Sequence, residues 1–352
     1  MKICFFGIYD PTYSRNSVLL SGLRQNGVEV VECWADWRDP KRYRKLLQQL
    51  RALHGGYDYI YAAYPSSVPV MIAKLLSRKP VVIDAFYSNF DSVVNDRKKY
   101  HWFDPRAIKM LVFDWLGVIL ADLLIADTDA HATYWRNWWG MKRKPAGTVY
   151  IGIDDKVFHP MVPTKKDYIL VLFHGTFIPL QGVTKIVEAA HICAAHPEIR
   201  FRFVGNGRDF GKAKGLADRH QLRNIEFTGM RPLAEMNKHL AEADIIMGIF
   251  GDTAKARRVI PNKVYEGLYA KRPVMTMDGP VIREAFTERD LLLVHNDPQA
   301  IADGIVTLAK DPALRNGYAE RGFVTVAAYL PKPVAASLVA VIEKTFDLPK
   351  RP

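Results

Sequence analysis

The apolar positions of the chain fall into short unbroken runs, and between them apolar residues recur every three or four positions. Residues 2–8 are apolar and stop at "YDP"; "SRNSVLLSGLRQNG" then reads as a helix ending at Gly27, and "VEVVEC" as the next strand. The beat continues through a basic helix from about 40 to 53, the strand "YDYIYAA", a helix from about 67 to 77 and the strand "PVVIDAF". A longer helical segment, "DPRAIKMLVFDWLGVIL", carries Ile108, Leu111, Val112, Trp115 and Ile119 at helical spacing before "ADLLIAD" returns to a strand. Strands buried on both faces read as continuous apolar runs, so their alternation with amphipathic helices predicts a parallel sheet with helices on both sides.

The stretch "GTVYIGIDDKVFHPMVPTKKD" breaks the periodicity, and the beat then restarts. Strands "YILVLFHG", "IRFRFVGNG", "NIEFTG", "DIIMGIF", "RPVMTM" and "DLLLV" alternate with helical segments that include "GVTKIVEAAHICAAH", "LAEMNKHLAEA" and residues near 297 to 310. The pattern predicts an α/β chain of two doubly wound, Rossmann-like domains, 1–160 and 161–330, with a final helix in 331–352 crossing back to the first domain. Open sheets of this kind bind ligands at the carboxyl ends of their strands, which two such domains would turn toward a central cleft.

A chain of 352 residues, 49% hydrophobic and 24% charged, is long enough for two ordinary cores. Cys4, Cys33 and Cys193 form no CxxC pair and sit in apolar contexts, so they read as reduced and buried in a cytoplasmic protein. The opening "MKICFFGIYD" reads as a first strand rather than a secretion signal, and no apolar run reaches the roughly 18 to 20 residues of a membrane span. The net charge of +12 is concentrated locally in "RDPKRYRKLLQQLR" and "YWRNWWGMKRKP". These stretches fit a solvated helix face and loop. They also fit an anionic membrane surface, because Trp135, Trp138 and Trp139 stand beside Lys142, Arg143 and Lys144, and both residue types favour the headgroup layer. Nucleic acid is the least favoured partner, with no RNA-binding aromatic signature, zinc-finger spacing or basic tail.

The stretch "RRVIPNKVYEG" (257–267) carries the sharpest chemical signal. A helix starting near Asn262, after Pro261, would have Arg257, Arg258 and Lys263 around its positive end. Cations there oppose the helix dipole unless an anion lies between them and the free N–H groups, so the pattern asks for a phosphate. Glu266, one turn in, could accept hydrogen bonds from ribose hydroxyls. "HGTFIPLQG" ends one strand and opens a helix through Gly182, leaving backbone N–H groups for a second phosphate contact, and the glycines of "VGNGRD" allow close backbone approach; each is also compatible with an ordinary turn.

In order and spacing, "YIGIDDKVFHP", "HGTFIPLQGV", "FVGNG", "FTG", "EADIIMGIF", "PNKVYEGLYAKRPVM" and "NDPQAIADGI" resemble the donor-binding half of retaining family 4 glycosyltransferases of the GT-B fold. The resemblance spans about 200 residues. It implies transfer of a hexosyl-type sugar from a nucleoside-diphosphate sugar to an acceptor hydroxyl, with retention, no metal and no cofactor. Carried over position by position, it places Glu266 near the ribose; Gly175, Thr176, Gln181, Gly205, Arg257 and Asn262 are read as donor-binding beside it, and Arg258 and Lys263 as stabilising the leaving diphosphate. The family's usual loop Arg and Lys are replaced here by Thr176 and Gln181, and the first of its two acids eight residues apart is Arg258. Charge lost from one loop thus reappears in the other; the alternatives are a noncatalytic or degraded nucleotide-sugar-binding protein, or a sugar epimerase of the same fold.

The first domain resembles the family in little but its beat. "YDPTYSRNS" replaces the usual glycine-rich loop and puts Asp10, Arg15 and Asn16 at a helix start facing the cleft; with Asp84 they are the acceptor-side candidates. "DTD" (127–129) reads as a helix cap rather than a metal site, and His131 as a helix-start or core histidine. A basic, tryptophan-bearing first domain points to a sugar or lipid-linked acceptor in polysaccharide or glycolipid assembly, reached peripherally from the inner face of a membrane.

Overall fold

The computed structural model describes residues 1–346. The chain divides into two compact units, Met1–Asp154 with the segment from Tyr329 onward, and Asp155–Ala328, so the divisions fall a few residues ahead of those expected at 160 and 330.

The first unit runs β1 (Lys2–Gly7), α1 (Ser14–Gln25), β2 (Glu29–Trp34), α2 (Arg42–Ala52), β3 (Tyr59–Ala62), α3 (Ser67–Leu76), β4 (Val81–Asp84), α4 (Pro105–Leu120), β5 (Leu123–Ala126), α5 (Asp129–Arg136) and β6 (Ala146–Thr148). Its six strands are parallel, in the order β2-β1-β3-β4-β5-β6. Every residue of β3, β4 and β5 is buried, which is why these strands read as unbroken apolar runs. Helix α4 starts where "DP" predicts: Asp104 caps it by accepting from the Arg106 N–H, and Pro105 takes the first position.

The second unit repeats the plan. It runs β7 (Ile169–His174), α6 (Val183–Ile192), β8 (Ile199–Val204), α7 (Phe210–Arg219), β9 (Ile225–Gly229), α8 (Met236–Glu242), β10 (Ile245–Met247), α9 (Asn262–Tyr269), β11 (Val274–Met277), β12 (Leu292–Val294), α10 (Pro298–Lys310) and α11 (Pro312–Val326). Its parallel strands are ordered β12-β11-β10-β7-β8-β9. Helix α12 (Pro331–Thr345) belongs to the first unit, where Val334, Ala335, Leu338 and Ile342 share one core with Val18, Leu19 and Leu23 of α1. Residues 347–352, the end of the expected last helix, lie outside the described residues.

Both sheets therefore have the doubly wound architecture that the sequence pattern predicts. In each, the chain leaves a central strand in two directions, and the carboxyl ends at that switch form the crevice where such sheets take ligands. The switch lies between β1 and β3 in the first unit and between β7 and β10 in the second. All three cysteines are free and buried.

Candidate functional site

At the second unit's switch point, β7 ends in His174 and the chain turns through Gly175, Thr176 and a short 3-10 turn, Pro179–Gln181, before α6. Two glycines fix this loop. Gly182 has φ +65°, and a Cβ on it would lie 2.2 Å from the Phe250 carbonyl carbon. Gly205, at the end of β8, has φ +134°, and a Cβ there would come within 1.9 Å of the Gly175 carbonyl oxygen. The glycines of "HGTFIPLQG" and "VGNGRD" thus let two backbone loops pack directly together. The Phe177 N–H also donates to the Asn206 carbonyl at 3.0 Å.

Helix α9 begins at Asn262, as the sequence reading places it, with Pro261 at the cap position and no side chain capping it. Its first N–H groups have no partner within the helix by construction. Lys263 does not project from this helix end into solvent. It is buried, and its Nζ donates to Gln181 Oε1 at 2.5 Å while lying 3.6 Å from the centre of the Phe173 ring. A Cβ on Gly175 would stand 3.3 Å from that same Nζ, so the ammonium lies directly against the loop after β7. Gln181, which stands where the resembled family has a cation, is the residue that receives the lysine arriving from α9.

Burial pushes the Lys263 ammonium well below its ordinary range, with Glu266 opposing the shift. Burial raises Glu266 to about 7, and Lys263 opposes that shift in turn. His174, which the sequence reading did not single out, completes the cluster. Its Nδ1 lies 3.6 Å from Glu266 Oε2, its Nε2 is buried without a hydrogen-bond partner, and burial lowers it to about 3. The histidine is neutral at pH 7. The signal for it was its place as the last residue of β7, directly before Gly175.

The remaining second-unit candidates are arranged less tightly. Thr176 is exposed, Asn262 is half-buried at the helix start, and Gly205 is buried beneath the Gly175 carbonyl. Arg257 is exposed and Arg258 half-buried in the turn before α9, where the Arg258 N–H donates to the Lys255 carbonyl at 2.9 Å. The three cations expected to surround one helix end therefore have distinct environments, and only Lys263 is drawn under the loop.

In the first unit, Arg15 and Asp84 are corrected. Both side chains are fully buried, with Arg15 Nε and Nη2 each 3.1 Å from an Asp84 carboxylate oxygen. Arg15 Nη1 also donates to the Val149 and Tyr150 carbonyls at 2.6 and 2.9 Å. The pair satisfies itself and joins α1, β4 and the segment after β6, which leaves neither residue at the surface for an acceptor. Asn16 is corrected too: it is fully buried and its Nδ2 donates to the Asp10 and Tyr64 carbonyls at 3.0 and 3.3 Å, tying together the two loops at the switch point. Asp10 is exposed and holds Thr12 through its N–H and hydroxyl at 2.8 and 2.6 Å. Tyr13, Tyr64 and Phe86 cluster nearby, with ring centres 5.2 to 6.4 Å apart.

Within "DTD", Thr128 caps α5 by accepting from the His131 N–H at 3.0 Å, and Asp127 holds buried His131 Nδ1 at 2.6 Å. The tryptophan stretch is also partly corrected. Trp135 is buried and donates to the Ala85 carbonyl at 2.8 Å, Trp138 is half-buried, and Lys144 donates to the Ile119 carbonyl at 2.8 Å at the end of α4. Trp139 alone of the three tryptophans is exposed.

Residues 154–324 match the family described as "Glycosyl transferases group 1". An uncharacterized glycosyltransferase of Methanocaldococcus jannaschii is 20% identical over 185 residues, 49% of this chain and 46% of that protein. The probable glycosyltransferase WbjE of Pseudomonas aeruginosa is 27% identical over 150 residues, 40% of this chain and 36% of that one. The chain thus spans less than half the length of these curated relatives. Among solved structures, sucrose-phosphate synthase of Thermosynechococcus elongatus superposes with TM-score 0.74 at 18% identity, covering 98% of this chain and 99% of that one. HepE of Anabaena, in complex with UDP and glucose, superposes with TM-score 0.69 at 17% identity, covering 99% and 100%. The chain has the GT-B fold, and its second unit carries the glycosyl transferases group 1 match.

Proposed function

We propose that this protein transfers a hexosyl-type sugar from a nucleoside-diphosphate sugar to an acceptor hydroxyl, with retention of anomeric configuration. The observation that carries the reading is Lys263 Nζ held against Gly175 and bonded to Gln181, at the switch point of the second unit and inside the stretch that matches the family. As the bond between sugar and β-phosphate breaks, negative charge grows on the departing diphosphate. A preplaced ammonium and the free N–H groups at the start of α9 stabilise that charge more than they stabilise the ground state. Arg258, and Arg257 beside it, extend the positive field from the preceding turn; the charge is then met by side chains, without need of a metal ion. Glu266 accepts from ribose hydroxyls, while Thr176, Gly205 and Asn262 line the donor. Attack by the acceptor from the leaving-group face requires no enzyme nucleophile, and none of these residues is asked to be one.

The diphosphate also resolves the unusual state of Lys263. An anion beside the ammonium opposes the desolvation that depresses it, so the bound diphosphate favours the charged form of Lys263. On the first unit, Asp10 remains as the acceptor-side residue, and the acceptor is a membrane-bound or lipid-linked saccharide of polysaccharide or glycolipid assembly, approached from the cytoplasmic side. HepE being held with UDP and glucose supports a nucleotide-sugar donor. Calorimetric titration with UDP, GDP, ADP and dTDP tests the donor assignment: one nucleotide binds at micromolar strength, and binding of none would remove it.

A further inference from the structure

Helix α4 has three distinct sides. Ala107, Asp114, Gly117 and Val118 are buried in the first unit, and α4 packs there against α3. Arg106, Lys109, Met110 and Phe113 line a cavity of about 570 Å³ in the same unit. The third side carries Ile108, Leu111 and Val112, all exposed, and runs into Trp115 and Ile119, which are half-buried against the first unit's core. Ile108 is 46% and Val112 44% exposed, an arrangement that a soluble helix normally gives to polar residues. The apolar surface continues beyond the helix. Trp102 and Phe103, 67% and 60% exposed, run directly into its start. Trp139, 82% exposed, stacks on Trp115 with ring centres 5.6 Å apart, and the Trp115 indole N–H donates to the Trp139 carbonyl at 3.0 Å. That bond holds a bulky aromatic outward on a fixed support.

The charge around this stripe has one sign. In residues 98–120 and 136–143 every exposed charged side chain is basic: Lys98, Lys99, Arg106, Lys109 and Arg136, followed by Lys142 and Arg143 beside Trp139. Of the acids in these segments, Asp104 is bonded to Arg106 and Asp114 is buried. An apolar and tryptophan-bearing helix face within a cationic border complements the interfacial layer of an anionic bilayer: apolar side chains enter the acyl boundary, tryptophans rest at headgroup level, and cations meet lipid phosphates. A protein partner of ordinary composition would not call for the uniform sign.

We propose that the outer side of α4, with Trp102, Phe103 and Trp139, is the surface on which this protein docks onto an anionic lipid bilayer. The proposal deepens the reading of a membrane-bound acceptor. It moves the contact away from Trp135, which is buried, and Lys144, which is occupied at the end of α4. Docking here would bring the cavity lined by Arg106 and Lys109 next to the bilayer, on the same helix that enters it. No single helix among the described residues is long and apolar enough to cross a membrane.

The test is flotation of the full chain with vesicles of phosphatidylcholine alone and of phosphatidylcholine mixed with phosphatidylglycerol, at low and high salt. Nucleotide binding is measured on the same preparations. The wild type floats with the anionic vesicles at low salt and is released by high salt, because screening weakens exposed charge interactions. Ile108→Glu/Val112→Glu, at two exposed positions, weakens vesicle binding at least about tenfold, and Lys142→Glu/Arg143→Glu weakens it and reduces the salt dependence, with nucleotide affinity unchanged in both. The proposal is overturned if the wild type fails to bind anionic vesicles, or if Ile108→Glu/Val112→Glu binds as well as wild type. It is equally overturned if sedimentation shows a dimer that the double variant dissociates, since a second copy would then cover the stripe. Loss of nucleotide binding by the wild type would strike the donor reading alone.

Discussion

Lys263→Met tests the centre of the donor site. Methionine is unbranched and one atom shorter than lysine, and it keeps an apolar contact toward the Phe173 ring, which the ammonium now approaches at 3.6 Å. Two stability effects oppose one another. Gln181 Oε1 loses its 2.5 Å donor, which costs about 1–3 kcal/mol for an unsatisfied buried acceptor, while removal of a buried ammonium relieves a desolvation cost of comparable size. Thermal stability should therefore change little. Donor binding has no such compensation. One charge-assisted contact to the diphosphate is worth about 1.5–3 kcal/mol, which corresponds to roughly a ten- to hundredfold weaker Kd. Calorimetry measures it, with a thermal melt as the control for folding. An unchanged Kd in a normally folded variant would refute the assignment of Lys263 to the diphosphate.

Three further outcomes follow from the same geometry. Glu266, raised to about 7, binds more protons folded than unfolded between about 4.5 and 7, so its contribution falls as pH rises; His174, lowered to about 3, binds fewer folded than unfolded below 6.5, so its contribution falls as pH drops. The two oppose each other between about 4.5 and 6.5: melts across pH should show Glu266→Gln losing stability on acidification below 6.5, and His174→Asn gaining it from pH 7 to 4.5. Asp84→Ala strands the fully buried Arg15 and should lower unfolding free energy by about 3–5 kcal/mol in denaturant titration; a near-neutral result would contradict the structural role given to the pair. Gly205→Ala forces a φ of +134° on a residue with a Cβ and drives it toward the Gly175 oxygen, so it should cost at least about 1–3 kcal/mol and weaken nucleotide binding as the loop shifts.

The fold was legible because parallel strands buried on both faces leave continuous apolar runs, as β3, β4 and β5 do. Helix α11 was missed although "DPALRN" carries its start signal: Asp311 accepts from the Leu314 N–H and Pro312 takes the first position. Its apolar residues spread around the helix, so the periodicity that revealed the other helices is absent. At the site, the identities of Lys263, Gln181 and Glu266 could be read from motif order, and the start of α9 from Pro261 and the stripe that follows. Their relation could not. Lys263 bends back to a residue 82 positions earlier, and Arg15 is neutralised by one 69 positions later. A helix start rich in cations looks alike in sequence whether the ammonium meets solvent or a neighbouring loop. Trp135 and Trp139 present the same ambiguity four residues apart, one buried against the Ala85 carbonyl and the other exposed.

The most direct test of sugar transfer is release of free nucleoside diphosphate from UDP-, GDP-, ADP- and dTDP-sugars by the wild-type protein in the presence of extracted membrane lipids. The account predicts release from one nucleotide class, stimulated by the lipid extract and reduced roughly ten- to a hundredfold in Lys263→Met. Binding of a nucleotide sugar that then stays intact with every acceptor preparation would contradict it and leave a site that holds the donor without using it.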